Sequence, residues 1–466
     1  MSDFAGIKGD MEFVSMARGV EIGANSYLLR SKGRHVILDA GSHPKREGLT
    51  SAPDFGAFAE GSAQAVIVTH SHQDHVGALP ILTRRERNAR VFMTAATAKI
   101  SDVMLHNSVN VMLRQKEEHN IQSYPLFTHR GVELSREAWQ PCKYRTTYDL
   151  KGDRASEDDD AVFEFYPAGH ILGAAGVKIQ LEGKTIFYTG DVNFENQTLI
   201  KGADFPESGV DVLIIETTRG DSPTPPGYTR AKEEERLAES INEAFDRGGS
   251  VTIPVFALGK TQELLAMLWR MRLSGQLASV PIYIGGLSTK LTTIYDAYCE
   301  DPQRQYPELQ LLQEMAPYVL SGNEVVTMPA RKKCIFAISS GMMTENTLSN
   351  IFARKILGDP KQSLFFVGYS DPDSPSGKLR AAKRGDPVQL DSKLPAIPLE
   401  CEVKEFNFSA HATRDSLLNY AIALKPQKII LVHGDRPAID WFHLRLHRDL
   451  PETEVIIPEP GVKIPL

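Results

Sequence analysis

The 466-residue chain has only four cysteines, and these lie far apart in the sequence, at Cys142, Cys299, Cys334 and Cys401. They form no CxxC pair, so the sequence predicts neither a disulfide framework nor a zinc finger. No apolar run reaches the roughly 18 residues of a membrane span, and the first residues, MSDFAGIKGDMEF, lack the basic and apolar regions of an export signal. These absences favour a reducing cytoplasm and predict no membrane association.

The sequence also lacks an excess of positive charge. Its formal net charge is −7, so a nucleic-acid partner would have to be bound by a local basic patch. Hydrophobic residues make up 42% of the chain and charged residues 24%, which is typical of a soluble globular protein. Because 466 residues exceed what one hydrophobic core usually serves, we expect two domains.

Short apolar segments that end in His, Asp or Gly characterise the first 200 residues: HVILDAG (35–41), AVIVTH (65–70), AVFEFYPAGH (161–170) and KTIFYTGD (184–191). Strands whose ends carry polar side chains into loops are a common way for a rigid sheet to present a site. A longer polar region, 101–160, separates the second segment from the third, and we interpret its acidic run SEDDDA as a solvated loop.

From about residue 211 the pattern changes to alternating strands and helices. The segment VDVLIIE is followed by Leu237, Ile241 and Phe245 at helical spacing, with Gly248 as the stop. The alternation continues to SLFFVGYS (363–370) and predicts a mainly parallel sheet covered by helices. A basic, Pro-rich connector, KLRAAKRGDPVQLDSKLPAIP, then leads to a tail that again places histidines at strand ends, so we interpret the alternating domain as an insertion.

The segment VIVTHSHQDHVGAL (66–79) contains the strongest functional motif, HxHxDH. Alternate side chains of an extended segment share a face, so His70 and His72 can chelate one cation. Asp74 and His75 lie where the segment turns into a helix and should address a neighbouring point. Mixed imidazole and carboxylate ligands favour zinc, with manganese or iron as alternatives, and the lack of nearby thiolates favours a catalytic site. A single histidine would be interpreted as a surface or core residue, but four potential ligand residues within six positions predict a metal site.

Three further strand ends offer ligands for a second cation: His170 in PAGHILG, Asp191 in YTGDV and His433 in LVHGD. Asp191 is the best bridging candidate, because a carboxylate can give one oxygen to each of two cations. Asp39 in ILDAG is interpreted as a hydrogen-bond acceptor that fixes the orientation of a ligand imidazole.

Together, these elements resemble the metallo-β-lactamase fold. The chain also resembles the β-CASP branch of this fold, a group of nucleic-acid hydrolases, in six segments: LIIETTRG, VTIPVFALGKTQELL, FAISSGMM, FVGYS, FSAHA and LVHGD. The resemblance implies a four-layer αββα metallo-β-lactamase domain (1–215 and 405–466) with an inserted α/β β-CASP domain of mainly parallel sheet (216–404). The active site would lie in the cleft between the two domains. It also implies two Zn²⁺ per chain, the first held by His70, His72 and His170, the second by Asp74, His75 and His433, with Asp191 bridging.

By the same resemblance, Glu216 matches the motif A acid of the branch, His411 the motif B histidine and His433 the motif C histidine. A histidine at motif C is typical of the RNA enzymes of this branch, so the implied partner is RNA, expected to be single-stranded. The segment GYSDPDSPSGK departs from the branch's usual pattern, which leaves substrate contacts near 370–380 open. The assembly domains of several relatives have no counterpart in this chain, so a homodimer stays an open alternative.

The implied reaction is hydrolysis of a phosphodiester to a 3′-hydroxyl and a 5′-phosphate. Asp74 would orient the attacking hydroxide, and His411 would be the general acid, oriented by Glu216. Without the resemblance, His411 would be read as a helix cap or a structural residue.

Candidate RNA contacts are Ser409, which a helix cap explains equally well, and the basic residues Lys378 and Arg380. Lys383, Arg384 and the run Arg331, Lys332 and Lys333 are further basic candidates, for which a solvated face is the alternative.

Three other functions compete with an RNA hydrolase. A small-molecule hydrolase acting on thioesters or lactones would use the same ligands, but it would have no need of Glu216 and His411. A DNA nuclease of the same fold is a second alternative. A catalytically silent scaffold would be expected to lack ligands, and here all seven positions are filled. The sequence leaves open whether cleavage is endonucleolytic, which we favour, or exonucleolytic.

Overall fold

The computed structural model describes residues 11–329 and 331–466. The first part of the predicted metallo-β-lactamase domain, 1–215, therefore begins outside the described residues. Most of the segment MSDFAGIKGDMEF also lies outside them. The chain divides into two units: unit 1 combines Met1–Glu195, Gly202–Thr224 and His411–Leu466, and unit 2 combines Asn196–Lys201 and Pro225–Ala410. These limits lie a few residues beyond the boundaries predicted at 215 and 404, and the assignment of the two domains stays a prediction.

The described part of unit 1 contains two seven-stranded sheets, with strand orders β22-β1-β2-β3-β4-β5-β6 and β21-β20-β11-β10-β9-β8-β7. The strands are β1 (Glu12–Ser15), β2 (Tyr27–Ser31), β3 (Arg34–Leu38), β4 (Ala65–Ile67), β5 (Arg90–Thr94), β6 (Trp139–Cys142), β7 (Thr147–Asp149), β8 (Ala161–Pro167), β9 (Ala175–Leu181), β10 (Lys184–Tyr188), β11 (Val212–Glu216), β20 (Lys428–Val432), β21 (Glu454–Ile456) and β22 (Lys463–Pro465). Strands β12–β19 belong to unit 2.

Alternation along the strands of unit 1 builds two apolar layers. On β2, Leu29 packs in the core shared by both sheets, whereas Leu28 packs in a second core on the other face of the first sheet. Successive side chains of a strand point to opposite faces, so a strand buried on both faces needs apolar residues at both kinds of position. The second core is covered by helices, and this arrangement agrees with the αββα fold implied by the sequence.

The helices of unit 1 are α1 (Gln73–Val76), α2 (Leu79–Arg85), α3 (Ala95–His119), α4 (His129–Arg136), α12 (Arg414–Leu424) and α13 (Arg436–Asp449). Helix α3, with 25 residues, follows β5 directly and runs into the polar segment 101–160, where no helix is predicted from the sequence. It starts at Thr94, whose side chain accepts a hydrogen bond from the Thr97 N–H.

Unit 2 is built on a six-stranded, entirely parallel sheet with the order β14-β13-β15-β12-β16-β19, which confirms the predicted alternation. Its strands are β12 (Val251–Pro254), β13 (Ile282–Gly285), β14 (Tyr318–Leu320), β15 (Ile335–Ile338), β16 (Ser363–Phe366) and β19 (Glu402–Glu405), and β17 (Pro387–Val388) and β18 (Ile397–Pro398) form a separate pair. The helices are α5 (Arg230–Asp246), α6 (Lys260–Leu273), α7 (Gly286–Ala297), α8 (Leu311–Met315), α9 (Gly322–Thr327), α10 (Leu348–Ile356) and α11 (Pro375–Ala381).

The predicted connector after residue 377 is more structured than its composition indicated. It contains most of α11 and the pair β17 and β18, because Ser374 caps the helix through the Gly377 N–H and Pro375 occupies its first turn. Within residues 11–329 and 331–466, no helix is both long and apolar enough to cross a membrane.

Candidate metal centre

The carboxyl ends of neighbouring parallel strands bring the predicted ligands together. In the second sheet of unit 1, β10, β11 and β20 are parallel neighbours, and Asp191, Glu216 and His433 lie at or just after their ends. In the first sheet, β3 and β4 are parallel neighbours, so Asp39 and His70 likewise follow adjacent strand ends. All these residues belong to unit 1.

A first donor group consists of His70, His72, His170 and Asp191, whose potential ligand atoms lie within 4.8 Å of one another. Nδ1 of His72 is 3.2 Å from Nε2 of His70 and 3.0 Å from Nε2 of His170. Oδ2 of Asp191 is 3.4 Å from Nε2 of His70 and 3.6 Å from Nε2 of His170.

A second donor group consists of Asp74, His75 and His433. Nε2 of His433 is 3.1 Å from Oδ2 of Asp74, and Nε2 of His75 is 4.0 Å from the same oxygen. The other oxygen of Asp191, Oδ1, is 3.2 Å from Nε2 of His75 and 3.2 Å from Nδ1 of His433. The two oxygens of Asp191 therefore face different donor groups.

The distances in the first group fit a tetrahedral cation site. Ligand bonds of about 2.1 Å, as zinc makes to nitrogen and oxygen, place neighbouring ligand atoms about 3.4 Å apart, and the observed range is 3.0 to 3.6 Å. Asp191 Oδ1 is buried, and no hydrogen bond to it is found among the described residues, although such an atom normally has a partner. The donor set thus fits a divalent metal.

Electrostatics keeps His70, His72 and Asp74 in the protonation states that a cation requires. Burial lowers the pKa of His70 well below its ordinary value and that of His72 to about 4, so both imidazoles are neutral at pH 7 and have a free lone pair. Burial alone would raise the pKa of Asp74, but the charge of His75 and the hydrogen bond from His433 outweigh it and hold the pKa at about 2. His75 differs: burial lowers its pKa, but Asp191, Asp39 and Asp74 outweigh burial and raise it well above its ordinary value, so a cation would displace a proton from this ring.

Asp39 fixes the orientation of His75. It is fully buried, and its Oδ2 accepts hydrogen bonds from His75 Nδ1 at 2.7 Å, from the Tyr188 hydroxyl at 2.8 Å and from the Thr69 hydroxyl at 2.9 Å. Its Oδ1 accepts from the Thr69 N–H at 2.7 Å. Because Nδ1 of His75 donates to Asp39, Nε2 faces the donor groups and offers its lone pair once its proton is displaced.

The backbone around the motif is packed too tightly for any side chain at Gly41. A Cβ at this position would lie 1.7 Å from the carbonyl oxygen of Asp74. Gly41 N–H donates to Asn25 O, and Asn25 N–H donates to Asp74 O, so these contacts hold the loop of Asp74 against the segment that follows β3.

Glu216 and His411 form a pair beside the first donor group. Nδ1 of His411 is 3.1 Å from both oxygens of Glu216, and Glu216 Oε1 also accepts from the Val192 N–H at 2.7 Å. Nε2 of His411 lies 4.0 Å from Asp191 Oδ2. Burial alone would lower the pKa of His411, but the charge and hydrogen bond of Glu216 raise it to about 9.

The predicted substrate contacts do not belong to these donor groups. Ser409, Lys378 and Arg380 all lie in unit 2. Arg380 donates to Gly368 O at 3.2 Å and pairs with Glu405, so its guanidinium already has partners within unit 2. Their role in substrate binding stays a prediction.

Sequence reasoning missed the residues that support the donors. Besides Thr69 and Tyr188, these are Thr218, whose hydroxyl is 2.9 Å from His433 Nδ1, and Asn25, whose amide nitrogen is 3.1 Å from His75 Nε2. Thr69 and Tyr188 adjoin motifs that were recognised, so their positions were a usable signal. Nothing in the sequence around Asn25 marks it as part of the site.

Three family models match successive parts of the chain. The Metallo-beta-lactamase superfamily model matches residues 19–239, the Beta-Casp domain model residues 261–379, and the model of a Zn-dependent metallo-hydrolase RNA specificity domain residues 396–458. Together they span most of the chain.

Curated relatives extend this likeness over nearly the whole chain. It is 28% identical over 464 residues to Cleavage and polyadenylation specificity factor subunit 3 of Dictyostelium discoideum, covering 98% of this chain and 57% of that protein. It is 29% identical over 436 residues to Endoribonuclease ysh1 of Schizosaccharomyces pombe, covering 91% and 54%. It is 29% identical over 458 residues to an RNase J-like protein of Methanocaldococcus jannaschii, covering 96% and 97%. The chain thus spans about half the length of the first two relatives.

A solved structure supports the fold. The crystal structure of a protein of unknown function from Enterococcus faecalis V583 covers 98% of this chain and is itself covered completely, with a TM-score of 0.56 and 13% identity.

Proposed function

We propose that the chain is a zinc-dependent ribonuclease of the β-CASP branch of the metallo-β-lactamase superfamily of metal-dependent hydrolases, since the models of both families match it. It would bind two Zn²⁺ and hydrolyse single-stranded RNA to 3′-hydroxyl and 5′-phosphate ends, most readily within a strand. The observation that carries this proposal is the position of Asp191, one oxygen toward each donor group, with the Glu216–His411 pair beside it.

The first group would be completed by His70, His72 and His170, and the second by Asp74, His75 and His433. Bound at these positions, divalent cations supply Lewis acidity toward the phosphoryl oxygens and a water that ionises near neutral pH. Manganese is the alternative to zinc for the same imidazole and carboxylate donors.

The residues of the chain supply orientation and a proton. Asp74 is ionised and partly exposed at the edge of its group, so it accepts a hydrogen bond from the attacking water and orients it. Glu216 holds Nδ1 of His411, so Nε2 faces the donor groups and can give its proton to the leaving 3′ oxygen. Direct attack of water on phosphorus needs no 2′-hydroxyl.

Several features support RNA as the substrate. Residues 396–458 match a model described as an RNA specificity domain, and two of the relatives carry the names Endoribonuclease and RNase J-like protein. The presence of a histidine, His433, at motif C also supports RNA as the substrate. A cytoplasmic location agrees with the scarcity of cysteine, and a homodimer stays open.

A substrate panel tests the proposal. Metal-free protein would be reconstituted with Zn²⁺ or Mn²⁺ and incubated with end-labelled RNA, circular RNA, single-stranded DNA and a thioester, beside Asp74→Asn and His411→Gln. We expect cleavage of both RNA forms, 5′-phosphate products, and loss of activity by about 10²- to 10⁴-fold in His411→Gln. An RNA with a single 2′-deoxy nucleotide at the cut should also be cleaved.

Other results would redirect the assignment. Resistance of the 2′-deoxy substrate would overturn the proposed route, and resistance of circles would indicate an exonuclease. Turnover of only the thioester would identify a small-molecule hydrolase, and preference for DNA would identify a DNA nuclease. A protein that binds metal but turns over none of these substrates would be a scaffold.

A further inference from the structure

An aromatic row crosses the parallel sheet of unit 2 and ends in an exposed tyrosine. Tyr318, Tyr283 and Phe336 are direct partners on β14, β13 and β15. The rings of Tyr318 and Tyr283 stack with centroids 5.1 Å apart, and those of Tyr283 and Phe336 with centroids 4.9 Å apart. Tyr283 and Phe336 are buried, whereas Tyr318 is 59% exposed.

The exposed end of this row lies on an edge strand. β14 is the last strand of the sheet and pairs only with β13 among the described strands. Edge strands are normally protected by charged side chains, but β14 has the sequence YVL, and Val319 is also 49% exposed. Two adjacent exposed apolar side chains, Tyr318 and Val319, on the edge strand of a sheet indicate a surface that contacts a partner.

A basic side chain contacts the same row, and a second basic residue follows it in the sequence. Arg331 donates to the Tyr283 hydroxyl at 2.7 Å, and its guanidinium carbon lies 5.5 Å from the centre of that ring. Lys332 follows it, and both side chains are exposed. Neither forms an ion pair with any residue in 11–329 or 331–466, although the chain as a whole is acidic, with a net charge of −7. Their positive charge is therefore available to an anionic partner.

We propose that Tyr318, Arg331 and Lys332, here called the Tyr318 platform, bind single-stranded RNA at a contact separate from the metal donors. An unpaired base stacks on the open face of Tyr318 and extends the aromatic row, and the flanking phosphates contact Arg331 and Lys332. Aromatic side chains accept bases of any sequence, and cations beside them follow the backbone. The inference rests on the proposed function for the identity of the ligand, but it concerns binding alone.

Binding would be measured without cleavage, by fluorescence anisotropy of labelled oligouridine in EDTA. Tyr318→Ala should weaken binding by about tenfold, the typical effect of losing one base–aromatic stack, whereas Tyr318→Trp should preserve it. Lys332→Glu should weaken binding and lower its salt dependence. Lys393→Glu and Leu273→Ala change an exposed cation and an exposed apolar residue elsewhere in unit 2 and should have no effect.

Stacking itself can be read from an oligonucleotide that contains 2-aminopurine. Its fluorescence should fall on binding to the wild type and Tyr318→Trp, and it should fall much less on binding to Tyr318→Ala. A perfectly paired RNA duplex has no free base to stack, so its affinity should be the same for Tyr318→Ala as for the wild type.

The outcomes separate this inference from the proposed function. If the wild type cleaves RNA and Tyr318→Ala binds oligouridine as tightly as the wild type does, the platform inference is wrong and the proposed function stands. If Tyr318→Ala loses affinity but the wild type cleaves no RNA, the platform stands and the reaction must be reassigned. If Tyr318→Ala changes the oligomeric state and leaves RNA affinity unchanged, the edge strand is an interface between copies of this chain, and the inference is overturned.

Discussion

Replacing Asp39 by asparagine tests whether the protonation of His75 determines metal affinity. In the folded protein, Asp39 only accepts hydrogen bonds, from the Thr69 N–H, the His75 ring and two hydroxyl groups. The Thr69 backbone N–H cannot change its polarity, so the oxygen of the introduced amide must face it. The NH₂ group of that amide then points at His75 Nδ1 and forces the ring into the other tautomer.

The size of the effect follows from these contacts. With its proton moved to Nε2, His75 has no lone pair toward Asp191 and the donor groups until the ring or the amide rearranges. Loss of a partner that orients a metal-binding imidazole typically costs 10- to 100-fold in affinity, which corresponds to about 1.4 to 2.8 kcal/mol. The metal-free protein should also lose about 2 kcal/mol of stability, because a buried hydrogen bond to a charged group is lost.

Tyr188→Phe is the matched control. It removes one hydrogen bond to the same oxygen of Asp39, leaves Asp39 an acceptor and keeps the tautomer of His75. We expect a loss of about 2 kcal/mol in stability, because this hydrogen bond also involves the charged group, and little change in zinc affinity. Zinc affinity would be measured by competition with a chromophoric chelator, and stability by urea unfolding in EDTA.

A result in which the two variants bind zinc equally well would refute the reasoning, because the tautomer of His75 would then have no influence on the site. A normal affinity of Asp39→Asn together with reduced stability would reduce Asp39 to a purely structural role. Nuclear magnetic resonance of ¹⁵N-labelled imidazole would report the tautomer directly in both variants.

Two further predictions concern proton transfer and backbone packing. Glu216 raises the pKa of His411 to about 9, so it stabilises the protonated imidazole. This stabilisation is fully present below about pH 6.5 and is lost as the pH rises through 9. Glu216→Gln should therefore move the alkaline limb of the rate profile, measured from pH 6 to 10, to lower pH, and an unmoved limb would remove His411 from proton transfer. Gly41→Ala places a Cβ 1.7 Å from the Asp74 carbonyl oxygen and should abolish zinc binding. Gly33→Ala is the control: its Cβ meets no atom within 4 Å, but the residue has a φ of +80°. This control should lower the free energy of unfolding by about 1 kcal/mol and leave zinc binding unchanged. Normal zinc binding by Gly41→Ala would show that the loop of Asp74 can shift to accommodate the added methyl group.

The part of the site that could be predicted from sequence is the part encoded locally. His70, His72, Asp74 and His75 lie within six residues, and the other ligands follow recognisable apolar strands. Asn25 reaches the site only because the folded chain places it against the loop of Asp74, 49 residues away, and no single sequence displays such a contact.

Helix α3 was missed for a different reason. Its buried face includes Thr97, Ser101 and Ser108, so the apolar periodicity that marks a helix is weak. These polar residues are satisfied by partners elsewhere: Ser101 donates to Ser71 Oγ and Ser108 to Gln73 Oε1. Both partners belong to the HxHxDH segment, so the polar contacts that weaken the apolar periodicity of the helix also position this segment.

The order in which the ligands are synthesised constrains when the protein can act. His433 lies beside Asp74 although 359 residues separate them, and the strand before His433, β20, pairs with both β11 and β21. At ordinary translation speeds, roughly 20 to 70 s pass between the emergence of these two side chains. A nascent polypeptide therefore has an incomplete set of ligands until the ribosome has passed codon 433. The proposed ribonuclease would therefore be inactive toward RNA until residue 433 has been synthesised.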